Sequence, residues 1–266
     1  MVYSRLGNRF TRLTRKLRLM RDKTNLHLYR KGYCPICQES VEFYSEQQWL
    51  RDHFFCSSCG SIPRERALMI IIEQYRPNWR DLAVHESSPG GRGVSVKLHR
   101  NCPNYTASQY YPDLAPGAYH ISGFQCQNLE KMTFSDNSFD LFITQDVMEH
   151  IFNPEQAFRE IARVLKPGGI HIFTVPIVNK FNPSEPRAVL DISTGEIECL
   201  KEAEYHGNPV DAKGSLVTMD WGYDIQNVIM DAAAMPTTAI LMDDLNMGIR
   251  AEYLDVLVSR KPGPRK

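Results

Sequence analysis

The sequence lacks any apolar run approaching the roughly 20 residues that a membrane-spanning helix requires, and its mean hydropathy is −0.37. Glycine and proline, 16 of each, are too few for a collagen-like or low-complexity chain. Apolar residues make up 42% of the 266 positions, which is enough for a folded core in one or two domains. The first 33 residues contain no long apolar stretch, so we expect no secretory leader and a cytoplasmic protein.

The chain also lacks a net charge, with 31 basic and 31 acidic residues, but the charge is unevenly distributed. Residues 1–33 contain ten basic residues and one acidic residue, so the remaining positions carry 21 basic and 30 acidic residues. This asymmetry predicts a basic N-terminal arm, residues 1–33, on an acidic body.

Within the arm, residues 4–21 have the pattern of an amphipathic helix. Apolar residues recur at steps of three and four, which places them on one helical face: Leu6, Phe10, Leu13, Leu17 and Met20. The apolar stripe is consistent with packing on the body or self-association through a second subunit. The arginine-rich face is also consistent with a peripheral membrane contact on anionic lipid, or with nucleic acid.

Seven cysteines are an odd number, which argues against a disulfide framework in a chain without a leader. Four of them form two Cys-x-x-Cys pairs separated by 18 residues, Cys34 with Cys37 and Cys56 with Cys59. Two such pairs supply the four thiolates that tetrahedral Zn²⁺ prefers and leave no open position on the metal. We therefore predict a structural zinc ion in a small zinc-ribbon-like module, residues 34–60.

The remaining sequence alternates between strand and helix patterns. Residues 61–80 contain a linking helix with Pro63 in its first turn. Helices are predicted at 154–165, with Asn153 as the N-cap, and at 224–235. Strands are predicted at 82–86, 105–110, 139–144, 170–175, 237–242 and 253–259. This alternation predicts an α/β fold with an open, mostly parallel sheet over residues 81–266.

A strand that ends in Glu86 and runs into the glycine-rich turn at residues 87–93 is a weak indication of a nucleotide-like ligand, because glycine lets backbone approach a ligand closely. Three further segments, residues 134–140, 146–150 and 164–169, follow in a characteristic order and spacing. With them, residues 81–260 resemble class I S-adenosylmethionine (SAM)-dependent methyltransferases of the ubiquinone/menaquinone type, the type 11/12 branch. The resemblance implies a Rossmann-like seven-stranded methyltransferase sheet whose last strand, near the C-terminus, is antiparallel.

The resemblance also implies which residues bind SAM, position by position: Glu86, Ser88, Gly90, Gln109, Asn128, Leu129 and Gln145. Gln109 stands where the family usually has an acid that holds the ribose, and Asn128 where it often has an aspartate near adenine. The turn departs from the family's glycine pattern, with Ser88 and Arg92 at glycine positions. Arg92 is expected to reach the cofactor carboxylate or a substrate.

Methyl transfer is an in-line displacement that depends mainly on positioning, and a base helps when the acceptor is a hydroxyl. His150 follows the fourth strand, where the family faces its substrate, and His206 lies in residues 177–222, a long polar segment predicted to be a substrate lid. Both are candidate catalytic bases; the alternative for His150 is a structural contact. Tyr205, Trp221 and Tyr223 are candidate substrate contacts, the alternative for Trp221 and Tyr223 being that they anchor the lid.

The favoured function is O-methylation of a saccharide-like or small hydroxylated metabolite, with SAM and structural Zn²⁺ as cofactors. The alternative is RNA methylation, with the zinc module and basic arm binding nucleic acid. Against it, residues 34–59 contain one arginine and an excess of acidic residues. A third hypothesis is a binding module without catalysis.

Overall fold

The computed structural model describes residues 25–208 and 210–263. The helix predicted over residues 4–21 lies outside these ranges. None of the helices within them is both long and apolar enough to cross a lipid bilayer.

The N-terminal unit is a three-stranded antiparallel sheet, here called the four-cysteine module (residues 28–61). It comprises β1 (Leu28–Cys34), β2 (Glu39–Ser45), the short helix α1 (Leu50–His53) and β3 (Phe55–Cys56). Strand β1 pairs with β2 along its whole length, from Leu28 opposite Ser45 to Cys34 opposite Glu39. The boundary predicted at residue 33 is therefore wrong, because residues 28–33 belong to the sheet of the module and not to a separate arm.

The linking helix α2 (Pro63–Tyr75) begins at a proline, as its sequence predicts, and joins the module to the rest of the chain. Arg66, in its first turn, is fully buried. Its guanidinium donates hydrogen bonds to the backbone carbonyls of Phe54 at 2.8 Å and Gly248 at 2.5 Å and lies 4.7 Å above the ring of Phe43. One side chain therefore fastens the module to a C-terminal turn of the main domain.

The first half of the main domain alternates strands and helices. After a 3-10 turn, η1 (Trp79–Asp81), the elements are β4 (Val84–Ser87), α3 (Gly93–Asn101), β5 (Tyr105–Gln109), β6 (Gln125–Cys126), β7 (Phe139–Gln145), η2 (Met148–His150), α4 (Pro154–Val164) and β8 (Leu165–Thr174). The side chain of Asn153 accepts a hydrogen bond from the backbone of Gln156, as predicted for the N-cap of α4.

The second half consists of the predicted lid region followed by the end of the sheet. Its elements are β9 (Glu185–Pro186), β10 (Ala188–Leu190), β11 (Ile197–Cys199), β12 (Tyr205–His206), β13 (Ser215–Leu216), β14 (Met219–Asp220), α5 (Ile225–Ala233), β15 (Thr237–Ile240), η3 (Leu245–Met247) and β16 (Val256–Arg260). The lid strands form three small two-stranded sheets: β10 with β11, β12 with β13, and β9 with β14.

The central sheet has seven strands in the order β15-β16-β8-β7-β4-β5-β6. Strands β8, β7, β4, β5 and β6 are parallel, whereas β16 runs antiparallel to both of its neighbours. The chain therefore has the Rossmann-like sheet with an antiparallel C-terminal strand that the resemblance implies. Because β5 and β7 flank β4 on opposite sides, the connections diverge at the carboxyl end of β4, where open α/β sheets bind ligands.

Both faces of the central sheet are buried, as expected for a mainly parallel sheet. Alternate residues of one strand enter different cores: Ile170 and Ile172 pack with α2 and α3, whereas Phe173 packs with α4 and α5. Strand β8 starts at Leu165, five residues before the predicted start, and its pairing with β7 jumps from Phe139–Leu165 to Leu141–Ile170. The turn-like residues 166–169 therefore form an irregularity inside a strand and do not separate it from α4.

Candidate functional site

A cavity of about 1030 Å³ opens at the carboxyl ends of the parallel strands. Its walls include Ser88 after β4, Gln109 at the end of β5, Gln145 at the end of β7, and Asn128 and Leu129 after β6. Five of the seven residues predicted to bind the cofactor therefore line one space, with polar atoms on several sides and an apolar side chain at Leu129. The residues present fit a nucleoside-containing cofactor such as SAM.

Glu86 and Gly90 do not line this cavity. The Glu86 carboxylate is fully buried and accepts hydrogen bonds from Ser95 at 2.6 Å, Tyr105 at 2.7 Å and Gln145 at 2.6 Å. Burial raises the pKa of this carboxyl, and the three hydrogen bonds oppose the rise. Glu86 therefore orients the side chain of Gln145, which does line the cavity. In the same network, Gly90 donates its backbone N–H to the hydroxyl of Ser95 at 3.0 Å.

We expected Arg92 to reach the cofactor carboxylate or a substrate, but its side chain does not line the cavity. Its Nε lies 3.0 Å from the carboxylate of Glu65, on the linking helix. The same carboxylate packs against Gly93, where φ is +57° and an added Cβ would lie 2.1 Å from a Glu65 oxygen. The glycine-rich turn is therefore fastened to α2, and no local residue pattern predicts this contact.

The four-cysteine module and the linking helix contribute a basic wall to the cavity. Arg51 of α1 donates two hydrogen bonds to Asp146, at 2.8 and 2.9 Å, and Arg64 places its Nε 2.9 Å from the same carboxylate. Burial alone would raise the pKa of Asp146, but the two guanidinium groups outweigh it and hold this pKa well below its usual range. Neither arginine was predicted as a site residue, because neither belongs to a recognisable motif and only the folded chain brings them to Asp146.

The two predicted catalytic histidines also line the cavity, and they lie around Glu149. Nε2 of His150 and Nδ1 of His206 are each 3.8 Å from Oε1 of Glu149, and the two rings are 5.1 Å apart at 88°. The side chain of Glu149 is 2% exposed, that of His150 16% and that of His206 37%. The facing carboxylate of Glu149 raises the pKa of His206 above its ordinary value.

The three predicted substrate contacts have different positions. Tyr205 lines the cavity and is 56% exposed. Trp221 is fully buried with its ring 6.3 Å from Phe158, and Tyr223 donates to Asp255 at 3.0 Å. Neither Trp221 nor Tyr223 lines the cavity. The prediction that Trp221 and Tyr223 contact the substrate is therefore wrong. Trp221 anchors the lid to the core by packing, and Tyr223 anchors it by a hydrogen bond.

The four cysteines of the module converge on one point. Sγ of Cys34 lies 3.7 Å from that of Cys59, and Sγ of Cys37 lies 3.8 Å from that of Cys56; all four sulfur atoms are within 4.8 Å of one another. Four ligands placed tetrahedrally at 2.3 Å from a zinc ion are about 3.8 Å apart. The geometry is therefore compatible with one tetrahedral metal ion held only by thiolates.

Comparisons with known proteins agree with this architecture. Residues 89–173 match the family model described as a methyltransferase domain. A 2-methoxy-6-polyprenyl-1,4-benzoquinol methylase from Danio rerio is 29% identical over 103 residues, covering 36% of this chain and 30% of the relative. YafE, an uncharacterized protein of Escherichia coli, is 28% identical over 102 residues, covering 38% and 46%. The chain spans less than half the length of these curated relatives.

Two solved structures are similar at low sequence identity. A SAM-dependent methyltransferase from Mesorhizobium loti has a TM-score of 0.46 at 15% identity, covering 73% of this chain and 97% of that one. A 1,6-didemethyltoxoflavin-N1-methyltransferase from Burkholderia thailandensis, solved with bound 1,6-didemethyltoxoflavin and S-adenosylhomocysteine, has a TM-score of 0.45 at 14% identity, covering 75% of this chain and 78% of that one. The family match over residues 89–173 and the seven-stranded sheet together show that the chain contains a methyltransferase domain.

Proposed function

We propose that this chain is a SAM-dependent methyltransferase that methylates a hydroxyl group of a saccharide-like or small hydroxylated metabolite. The observation that carries the proposal is the single cavity. It is bounded at one end by Ser88, Gln109, Asn128 and Gln145 and at the other by the polar lid residues around His206.

In this proposal the first end of the cavity binds SAM. Gln109 donates to and accepts from the ribose hydroxyls, Asn128 pairs with the adenine edge, and Leu129 packs against the ring. Glu86 acts through Gln145, to which it is hydrogen-bonded at 2.6 Å. When bound, SAM supplies an activated methyl group, and the protein contributes mainly by aligning the acceptor and excluding water.

The second end binds the acceptor. Tyr205 offers a ring face and a hydroxyl, and His150, His206 and Glu149 present imidazole and carboxylate groups to the same space. Such polar groups suit a hydroxylated acceptor, because they can donate hydrogen bonds to its oxygen atoms and accept them from its hydroxyl groups. His150 and His206 thus remain the candidates for contact with the reacting hydroxyl.

We further propose that the four cysteines bind one structural zinc ion, with Cys34, Cys37, Cys56 and Cys59 as ligands. A unit of this size can bury little apolar surface by itself, so we expect metal binding to contribute to its folding free energy. Because Arg51 belongs to the module and lines the cavity, the ion also holds one wall of the site in place.

RNA methylation is not favoured by any feature of the described residues, and the cavity wall formed by the module and the linking helix carries Asp52 beside Arg51 and Arg64. The partner is therefore proposed to be a small-molecule or glycan acceptor. The contacts expected of the basic arm, with a second subunit, an anionic membrane or nucleic acid, stay predictions.

The test is transfer of a labelled methyl group from SAM by the zinc-loaded, full-length protein. The acceptors are a panel of monosaccharides, glycosides and small phenols, with total RNA as the alternative acceptor. We expect label in a hydroxylated small molecule and none in RNA. Labelled RNA would overturn the acceptor class, and failure to bind SAM would overturn the function itself.

A further inference from the structure

The carboxylate of Glu149 is buried without a hydrogen-bond partner. Both of its oxygens are inaccessible to solvent, and neither accepts a hydrogen bond from any described residue. An ionised carboxylate in such surroundings is costly unless a charge or a metal compensates it. The groups that face it are the two imidazoles, each 3.8 Å away, which is too long for a hydrogen bond.

The hydrogen bonds of His150 leave one ring nitrogen available toward Glu149. Its Nδ1 lies 2.8 Å from the backbone carbonyl of Leu216. A carbonyl can only accept, so Nδ1 carries the hydrogen and Nε2 keeps its lone pair. This Nε2 is the atom that faces Glu149. A second ring nitrogen held by a carbonyl is the usual arrangement for a histidine that ligates a metal.

His206 has the same arrangement with its two nitrogens exchanged. Its Nε2 lies 3.4 Å from the carboxylate of Glu204, so this nitrogen carries the hydrogen, and its Nδ1 faces Glu149. Two lid strands hold this geometry. Strand β12 pairs His206 with Ser215 of β13, and the backbone carbonyl of the next residue of β13, Leu216, accepts the hydrogen bond from His150. Thr218 also donates its backbone N–H to the Glu149 carbonyl at 2.7 Å. Two imidazole lone pairs and one carboxylate thus converge within 4.8 Å of one another.

We propose that Glu149, His150 and His206 form a binding site for a divalent transition-metal ion, separate from the four-cysteine site. Two imidazoles and one carboxylate favour transition ions over Mg²⁺ or Ca²⁺, and three protein ligands leave coordination positions open. All three residues line the cavity, so the open positions are accessible to oxygen atoms of a ligand bound there. Resting on the proposed function, this identifies the acceptor as a molecule with adjacent oxygen donors, such as a vicinal diol.

The site can be tested with Mn²⁺ as the probe. Mn²⁺ is a weak competitor for thiolates, so it leaves zinc in the four-cysteine site. The full-length, zinc-loaded protein is cleared of weakly held metal and titrated with Mn²⁺, and free Mn²⁺ is followed by electron paramagnetic resonance. We expect one bound Mn²⁺ per chain, and at least tenfold weaker binding in His206→Ala and in Glu149→Gln.

His99→Ala is the matched control, because His99 is an exposed histidine on α3, outside the cavity, and we expect it to bind Mn²⁺ like the wild type. Circular dichroism and zinc content confirm that each variant is folded. The inference is overturned if the wild type binds no Mn²⁺, or if folded His206→Ala and Glu149→Gln both bind it normally. SAM affinity, measured on the same samples, separates the two proposals: SAM binding without Mn²⁺ binding contradicts only the metal site, and Mn²⁺ binding without SAM binding contradicts only the methyltransferase function.

Discussion

Arg51 of the four-cysteine module and Asp146, the residue after strand β7, form a buried, bidentate ion pair with N–O distances of 2.8 and 2.9 Å. The residues are 95 positions apart in the sequence. Their contact makes the module a wall of the cavity, and it links the cysteine site to the site proposed for methyl transfer.

We expect Arg51→Met to lower the free energy of unfolding by about 3 kcal/mol, because it leaves the buried Asp146 carboxylate with one partner fewer. The measurement is urea denaturation. Arg159→Met is the control, since Arg159 pairs with Glu155 on the surface of α4, and an exposed pair contributes little. Equal losses in the two variants would contradict a stabilising role for the Arg51–Asp146 pair.

The same pair predicts a pH dependence of stability. Arg51 and Arg64 hold the pKa of Asp146 below its ordinary value, so its folded pKa is lower than its unfolded pKa of about 3.9. The resulting stabilisation is complete above the unfolded pKa and is lost as the pH falls through the folded one. We therefore expect the difference in unfolding free energy between wild type and Asp146→Asn to shrink as the pH is lowered from about 6 to about 3. A difference that stays constant over this range would contradict the prediction, and Asp113→Asn, at an exposed position, serves as the control.

Metal analysis tests the cysteine site. We expect the purified protein to contain one zinc per chain in the four-cysteine site, and Cys56→Ser to lose it together with the cooperative unfolding of the module. Cys199→Ser is the matched control, because Cys199 is exposed and lies in the lid, outside the cysteine cluster. A folded wild-type protein without zinc would refute the assignment.

The lid aromatics are expected to separate stability from acceptor binding. Trp221→Ala removes a fully buried ring and should lower the free energy of unfolding by about 3–5 kcal/mol. Tyr205→Ala removes an exposed ring from the cavity wall, so we expect an unchanged denaturation midpoint and a raised KM for the acceptor. Thermal denaturation and steady-state kinetics measure the two effects. A raised KM with unchanged stability in Trp221→Ala, and lost stability with an unchanged KM in Tyr205→Ala, would mean that Trp221, and not Tyr205, contacts the acceptor.

Sequence periodicity predicts the central sheet well, because the buried strands and the capped helix α4 carry local signals such as Asn153 and Pro154. It fails where a contact depends on distant parts of the chain. No local spacing of residue types predicts that Trp221 is buried against Phe158 or that Arg92 pairs with Glu65. The motif containing His150 locates that residue, but the convergence of His206 on Glu149 depends on the pairing of two lid strands.

The measurement that tests the central claim most directly is calorimetric titration of the zinc-loaded protein with SAM. We expect one site per chain. Gln109→Ala should bind SAM about tenfold more weakly, and Gln109→Glu more tightly than the wild type, because a carboxylate makes stronger, charge-assisted hydrogen bonds to ribose hydroxyls. Asn227→Ala, at an exposed position on α5, should leave the affinity unchanged. Absence of SAM binding by the wild type, or undiminished binding by Gln109→Ala, would contradict the assignment of this cavity to the methyl donor.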